Sequence, residues 1–301
     1  MEIVVFGAGS LGSLVGGLLA REHDVTLVAR GDHANAVRES GLRLEGVGDR
    51  PSRVFPAATT DGTGLEAELA VVTVKSFDTA AAAERLATGS FDGTLSLQNG
   101  MGNEATLAAR LEAPVLAGTA TYGAIRREPG VVECTGSGEI VLGARDGGPA
   151  AIATRAGEAF AAAGLETTVA DDMPRRLWEK LAVNAGINAV TALTATENGA
   201  VLEEPANDLA RDATREAAAV ARACDVSLSN REATAAMESV AEATAANTSS
   251  MHQDVLADRR TEVDSINGYV VDRAIELGIE VPTNRTLAAL IRTWERGHGV
   301  R

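Results

Sequence analysis

The chain opens on a run of apolar residues, Glu2 to Phe6 (EIVVF), that stops at once on glycine. A short apolar run bounded by a turn signal fits a strand buried on both faces. Ser10 to Arg21 is small and apolar and reads as a helix. A second strand is predicted over Val25–Ala29, ending at Arg30. Leu69–Val74, Thr94–Leu97 and Val115–Gly118 read as further strands. Strands alternating with helical stretches predict a doubly wound, Rossmann-like α/β sheet. Val131–Gly143, rich in Val, Gly and Thr, is expected to add antiparallel strands at its far edge. Ile152–Ala163 is expected as a helix and Glu166–Val169 as a last short strand.

From Asp172 onward the texture changes. Strand-like runs vanish, and alanine-rich segments with a helical period continue to the end. They are broken at Pro205, Asn230, Gly278 and Pro282. That pattern predicts an all-α second domain. The expected division is residues 1–170 for the α/β domain and 171–301 for the helical one. Nothing between them reads as a long linker, so the two are expected to pack directly, with a ligand cleft between them.

Composition narrows the function. The formal net charge is −15, which as a whole repels nucleic acid and anionic lipid. No run of about 18 uncharged apolar residues is present, so no membrane span is expected. The N-terminus lacks the basic region and cleavage site of a signal peptide. The two cysteines, Cys134 and Cys224, form no CxxC motif, which fits a reducing cytoplasm. Of 27 basic residues only Lys75 and Lys180 are lysines. An acidic, lysine-poor chain fits a high-salt cytoplasm or a codon bias toward Arg and Ala, and composition does not choose between them. Both lysines fall in the motifs below.

Gly7-Ala8-Gly9-Ser10-Leu11-Gly12 matches GxGxxG between a predicted strand and a predicted helix, the context in which that motif binds a dinucleotide. Gly7 permits the tight turn, Gly9 lets backbone approach a pyrophosphate, and Gly12 lets helix and strand pack closely. At the end of the second strand an NAD site would carry Asp or Glu. Arg30 stands there instead and can pair with the 2′-phosphate of NADP. Asp32 follows two residues later, so the cofactor reading is favoured rather than closed.

Lys180, Asn184 and Asn188 are spaced i, i+4, i+8 in an otherwise apolar predicted helix, which puts them on one face. Asparagine forms helices poorly, so two in register with a lysine suggest a polar strip toward a ligand. A lysine ammonium can protonate an oxygen that becomes an alkoxide. An exposed strip on a bundle helix is the plain alternative. Asn247, Ser250 and Asp254 read as a second helical strip with neutral donors for a carboxylate, and Glu262 lies two turns beyond. The four histidines (residues 23, 33, 252 and 298) show no ligand spacing, so metal-independent chemistry is the simpler reading.

Together these segments resemble the ketopantoate reductase (2-dehydropantoate 2-reductase) family nearly end to end. The resemblance rests on GAGSLG, VTVKSF around Lys75, QNGMG around Asn99, WEKLAVNAGINAVTAL around Lys180, and NTSSMHQDVLADRRTEVDSING from Asn247 to Asn267. It implies a Rossmann-like domain followed by a helical one, in the 6-phosphogluconate-dehydrogenase-like arrangement. It implies NADPH as cofactor, with contacts at Gly7, Ala8, Gly9, Ser10, Leu11, Gly12, Arg30, Lys75, Asn99, Ala124 and Glu262. Lys180 matches the family's catalytic lysine, the proton donor, and Glu262 an acid close to both cofactor and substrate. Asn184, Asn188, Asn198, Asn247 and Ser250 match positions lining the substrate. The implied reaction is reduction of 2-dehydropantoate to pantoate on the way to pantothenate and coenzyme A, in the cytoplasm, with a homodimer left open. Two departures stand out. The chain is one residue longer around Tyr122–Arg127, beside Ala124, and His252 occupies a usually apolar position. The alternatives are another 2-oxo acid or opine-type reductase of the same architecture, and a non-catalytic NADP-sensing regulator.

Overall fold

Strand β1 (Glu2–Phe6) shows why the first run reads as continuously apolar. Ile3 and Val5 enter one hydrophobic cluster, whereas Val4 and Phe6 enter another. A parallel strand covered by helices on both faces has no side left for polar residues. The structure is a computed structural model that describes residues 1–48 and 50–301. After β1 come α1 (Ser10–Leu19), β2 (Asp24–Val28), α2 (Gly31–Ser40), β3 (Leu42–Glu45), β4 (Ser52–Val54), β5 (Ala57–Thr59) and β6 (Glu66–Val72). Then follow α3 (Thr79–Leu86), β7 (Ser90–Ser96), α4 (Asn103–Ala108), β8 (Val115–Ala120), β9 (Gly123–Glu128), β10 (Val131–Gly136), β11 (Ile140–Ala144), α5 (Ala151–Ala162) and β12 (Thr167–Val169).

Eight strands form one sheet in the order β12-β11-β8-β7-β6-β1-β2-β5. From β5 to β8 all neighbours are parallel, and only β11 runs antiparallel to β8. Connections leave β1 for β2 on one side and reach β6 on the other. That reversal is the switch point at which doubly wound sheets open a crevice beyond their strand ends. Leu14, Val15 and Leu18 of α1 pack on one face; Ala82, Ala83, Leu86 and Leu107 of α3 and α4 pack on the other.

Val131–Gly143 departs from expectation. Its second half is β11, antiparallel to β8, with β12 outside it. Its first half, β10, leaves the main sheet and joins a four-stranded sheet in the order β4-β3-β10-β9. Leu42 and Leu44 of β3 and Val132 of β10 bury into the same cluster as α1. His33 ties this sheet to the glycine-loop helix. The Gly130 N–H donates to its Nδ1 at 3.0 Å. Nε2 therefore carries the proton in the neutral ring and donates to Ser13 Oγ at 3.0 Å.

The helical part contains α6 (Met173–Thr194), α7 (Ala206–Ala223), α8 (Asn230–Ala243), α9 (Ser250–Leu256), α10 (Asn267–Leu277) and α11 (Pro282–Gly297). The breaks fall where the sequence puts them. Pro205 precedes α7, and Pro282 takes the first position of α11, where its missing N–H is no loss. A capping box of Ser229 and Glu232 starts α8. Gly278 ends α10 in the left-handed region at φ +68°, which glycine adopts without strain. Ala210, Ala213, Ala217 and Ala221 line the buried face of α7, so neighbouring helices approach closely with little side-chain volume between them.

The chain resolves into two compact units. One is Met1–Gln98 with Asn103–Met173; the other is Pro174–Arg301 together with Asn99–Gly102. The assignment of Asn99–Gly102 to the helical unit is invisible in the sequence. Among the described residues, no helix is long and apolar enough to cross a membrane.

Candidate functional site

In the α/β unit the glycine loop, Arg30 and Lys75 lie at the carboxyl ends of parallel strands. Gly7–Gly12 follows β1, Arg30 follows β2, and Lys75 follows β6. Gly7 sits at φ +110°, and a Cβ there would stand 2.7 Å from the Val74 amide. A Cβ on Gly12 would collide with the Gly7 carbonyl and the Thr73 hydroxyl. Thr73 Oγ1 donates to the Gly7 carbonyl at 2.9 Å and braces the loop from below. Gly9, by contrast, is exposed and meets nothing closer than 3.9 Å. It is the N-cap of α1, with no side-chain cap and no acid in the first turn. Bare amides at an uncapped helix start favour an anion, so this cradle fits a dinucleotide's phosphates.

Arg30 is the N-cap residue of α2. Its side chain is 92% exposed and stands 3.9 Å from Asp78, a weak pair that leaves it available to a phosphate. Asp32 lies in the first turn of α2 and is exposed. Lys75, half-buried, is the N-cap of a short 3-10 turn, Ser76–Asp78. Gln98 was not singled out in the sequence, yet it fixes that turn. Its Nε2 donates to the Val74 carbonyl at 3.1 Å and to Thr79 Oγ1 at 2.7 Å. Ala124 lies on β9, half-buried. Its neighbour Arg126 donates its backbone N–H to Ser10 Oγ of the glycine loop at 3.1 Å.

In the helical unit, α6 carries Lys180, Asn184 and Asn188 on one helical face as expected. Lys180 and Asn184 are half-buried and Asn188 is buried. The second strip is not one helix. Asn247 lies in a bend before α9, Ser250 is the first residue of that helix, and Asp254 is buried within it. Glu262, also buried, lies in non-helical chain. The helix ends at Leu256, and Asp258 turns left-handed at φ +46°. The Arg259 N–H closes the end onto the Asp254 carbonyl at 2.9 Å. Ser249 rather than Ser250 caps α9, accepting from the His252 N–H at 3.2 Å.

The non-helical segment and the first residue of α10 gather the pieces. Asn267 Nδ2 donates to the Ala185 carbonyl at 3.0 Å, between Asn184 and Asn188 on α6. The Ser265 carbonyl accepts from the Met101 N–H at 2.9 Å. Gly100, at φ +78°, sits so close that any Cβ would collide with Ser265. Thus the turn after Asn99, the turn holding Glu262 and the lysine–asparagine helix meet within one unit. Asn198 and Asn247 also come together, the Asn198 N–H donating to the Asn247 carbonyl at 2.9 Å. Asn198 Nδ2 donates to Thr244 Oγ1 at 2.9 Å, while its buried Oδ1 accepts no hydrogen bond. That acceptor is open to a donor brought by water or ligand. His252 is buried. Its Nδ1 donates to the Thr196 carbonyl at 3.0 Å, so the ring anchors the chain just ahead of Asn198.

A glycine loop on a doubly wound sheet, followed by a helical unit that carries a lysine–asparagine face, defines a Rossmann-type dehydrogenase. The family described as Ketopantoate reductase PanE/ApbA matches residues 3–147, and its C-terminal counterpart matches residues 172–295. The chain belongs to the ketopantoate reductase family. The 2-dehydropantoate 2-reductase of Halobacterium salinarum is 46% identical, over 98% of this chain and 99% of the relative. That of Archaeoglobus fulgidus is 37% identical, over 98% of both. A PanE/ApbA family ketopantoate reductase from Ralstonia eutropha superposes with a TM-score of 0.91 at 36% identity, over 99% of this chain and 100% of that one. A D-mandelate dehydrogenase with NADH and anilino(oxo)acetate has a TM-score of 0.93 at 22% identity, and speaks for the fold alone.

Proposed function

We propose that this chain reduces 2-dehydropantoate to pantoate with NADPH. The observation that carries the reading is the linkage of α6, the helix bearing Lys180, Asn184 and Asn188, to the start of α10 just after the Glu262 turn through Asn267, and of that turn to Asn99–Gly102 through Ser265. Membership of the ketopantoate reductase family supports the substrate.

The cofactor would be held by Gly7–Gly12 at its phosphates, by Arg30 at its 2′-phosphate, and by Lys75, Asn99, Ala124 and Glu262. Once bound, it supplies a hydride to the keto carbon. The protein's own part is positional and electrostatic. Lys180 donates a proton to the keto oxygen as that oxygen becomes an alkoxide. Asn184, Asn188 and Asn198 orient the substrate, and Asn247 and Ser250 offer neutral donors to its carboxylate or hydroxyl. Glu262 orients Lys180 or accepts from the substrate hydroxyl. Fixing both partners for attack accounts for much of the rate, since effective molarities reach about 10⁵ M or more. The reading puts the reaction in the cytoplasm, with no nucleic-acid or membrane partner, and leaves room for a homodimer.

The test is NADPH oxidation by the purified chain with ketopantoate, beside 2-oxoisovalerate, in molar potassium chloride. Turnover preferring ketopantoate supports the reading. Turnover preferring another 2-oxo acid would make the chain a different reductase, and cofactor binding without turnover a sensor. Lys180→Ala should lower kcat by about 10²-fold, the scale of a lost general acid, with the Kd for NADPH little changed. A kcat within a few-fold of the parent would remove Lys180 from that role.

A further inference from the structure

Glu262 lies in chain with no helix or strand to hold it, yet its neighbours on both sides are fastened. On one side, the Thr261 N–H and hydroxyl both donate to Glu295 Oε1, at 2.8 and 2.7 Å. Glu295 projects from α11 and is fully buried. On the other side, Asp264 accepts from Arg292 Nε at 2.9 Å and lies 3.4 Å from Arg260 Nη2. One side chain joins the two sides. Arg301 Nη1 donates to Glu295 Oε2 at 2.7 Å, and its Nη2 stands 2.8 Å from Asp264 Oδ2. Within the segment, Ser265 Oγ donates to the Glu262 carbonyl at 3.0 Å.

The network is centred on a buried pair, Thr261 and Glu295, with half-buried arginine side chains around it. A fully buried carboxylate is costly unless its oxygens are satisfied, and Glu295 has Oε1 on Thr261 and Oε2 on Arg301. Burial works to raise the Asp264 pKa, but hydrogen bonds from Arg301 and Arg292 outweigh it and hold the carboxyl below its ordinary value. A guanidinium presents donors in a fixed fork, so it can hold two carboxylates in set directions at once; an ammonium cannot.

We infer that Arg301 and Glu295 are positioning residues for this reductase: together they clamp the Thr261–Asp264 segment at both ends and so fix Glu262. The inference rests on the proposal that Glu262 belongs to the site. Neither Arg301 nor Glu295 is placed at substrate or cofactor; each acts through the backbone that carries Glu262.

The test is a double-mutant cycle on the full chain, with kcat, KM for ketopantoate, Kd for NADPH and melting temperature read on each preparation. Arg301→Ala should lower kcat/KM about 10-fold, since small misplacements far from the chemistry are costly. Arg301→Lys should recover only part of that loss. Combined with Glu262→Gln, Arg301→Ala should add less than about 2-fold, the mark of two changes acting through one group. Arg296→Ala, at an exposed arginine next to Glu295 on α11, should change nothing. If Arg301→Ala proves too unstable to assay, Asp264→Asn opens the clamp from its other end and should show the same non-additivity. Losses that multiply in full with Glu262→Gln, or an Arg301→Ala enzyme with parental kcat/KM, would overturn the inference. A Glu262→Gln enzyme with parental kinetics would instead overturn the role given to Glu262, and the clamp's role in catalysis with it.

Discussion

Asn267 donates from Nδ2 both to the Ala185 carbonyl on α6 and to Asn284 Oδ1 on α11, each at 3.0 Å. Its side chain is fully buried. Asn284 Nδ2 in turn donates to the Ala213 carbonyl at 2.9 Å and to Glu216 Oε2 at 2.8 Å. Two asparagines, on α10 and α11, thus join four helices: α6, α7, α10 and α11. Asn267→Ala strands the Asn284 acceptor, at a cost of about 1–3 kcal/mol. It also frees α6 from the start of α10, just after the Glu262 turn. The expected outcome is a lower urea midpoint together with a raised KM for ketopantoate. Loss of stability with parental KM would make Asn267 a purely structural link.

Arg30 offers a cleaner separation, because its exposed side chain contributes little to the fold. A charge-assisted bond to a phosphate is worth about 1.5–3 kcal/mol, or about 10- to 100-fold. Arg30→Ala should therefore weaken NADPH by that factor and NADH far less, with an unchanged melting temperature. Titration of both cofactors by fluorescence checks it. Equal losses for the two would take Arg30 away from the 2′-phosphate and leave Asp32 as the group that reads the ribose.

His33 makes the α/β unit sensitive to acid. Burial, with a smaller contribution from Arg126, lowers its pKa from 6.5 to about 4. The unfolded chain therefore takes up a proton at a pH where the folded ring stays neutral. This contribution is fully present above pH 6.5 and is lost as pH falls through that value toward 4. At about 1.4 kcal/mol per pH unit the loss reaches about 3 kcal/mol. Urea unfolding at pH 7 and at pH 4.5 should show it, and His33→Gln should remove most of the difference. An equal acid loss in variant and parent would assign the effect to carboxylates elsewhere.

The uneven legibility of the molecule has physical causes. β1, β2, β6 and β8 bury short runs of small and apolar residues in the sheet, so those runs stand out without any knowledge of partners. The small sheet does not stand out. β3 and β4 have four and three residues, too few to establish a period. β3 is held by β10 from far along the chain. The Lys180 face was readable because α6 is one continuous helix of 22 residues. Of the strip Asn247, Ser250 and Asp254, the last two lie in α9 as their spacing predicts, whereas Asn247 precedes the helix and Glu262 lies beyond its end. Long-range bonds decide that segment, above all the grip of Glu295 on Thr261. For the same reason Gln98, Ser265, Asn267 and Arg301 went unnoticed. Each acts through a partner that only the fold supplies.

Ser250 and Ser249 stand side by side at the start of α9 and separate binding from capping. Ser249 is buried, accepts from the His252 N–H at 3.2 Å and lies 2.8 Å from Thr191 Oγ1 on α6. Ser250 is exposed. The capping role thus falls to Ser249, so the substrate contact proposed for Ser250 can be tested apart from the cap. Ser249→Ala should cost about 0.5–2 kcal/mol of stability, the usual range for an N-cap. Ser250→Ala should leave the melting temperature unchanged. If its hydroxyl donates to the carboxylate of ketopantoate, the lost bond is worth about 1.5–3 kcal/mol. KM should then rise about 10-fold or more, with a smaller change in kcat when the contact is equal in ground and transition states. NADPH affinity should stay constant, because the groups proposed to hold the phosphates follow β1 and β2. Melting temperature, KM and cofactor Kd on both variants decide the matter. A parental KM in Ser250→Ala would leave Asn184, Asn188, Asn198 and Asn247 to hold the substrate without it.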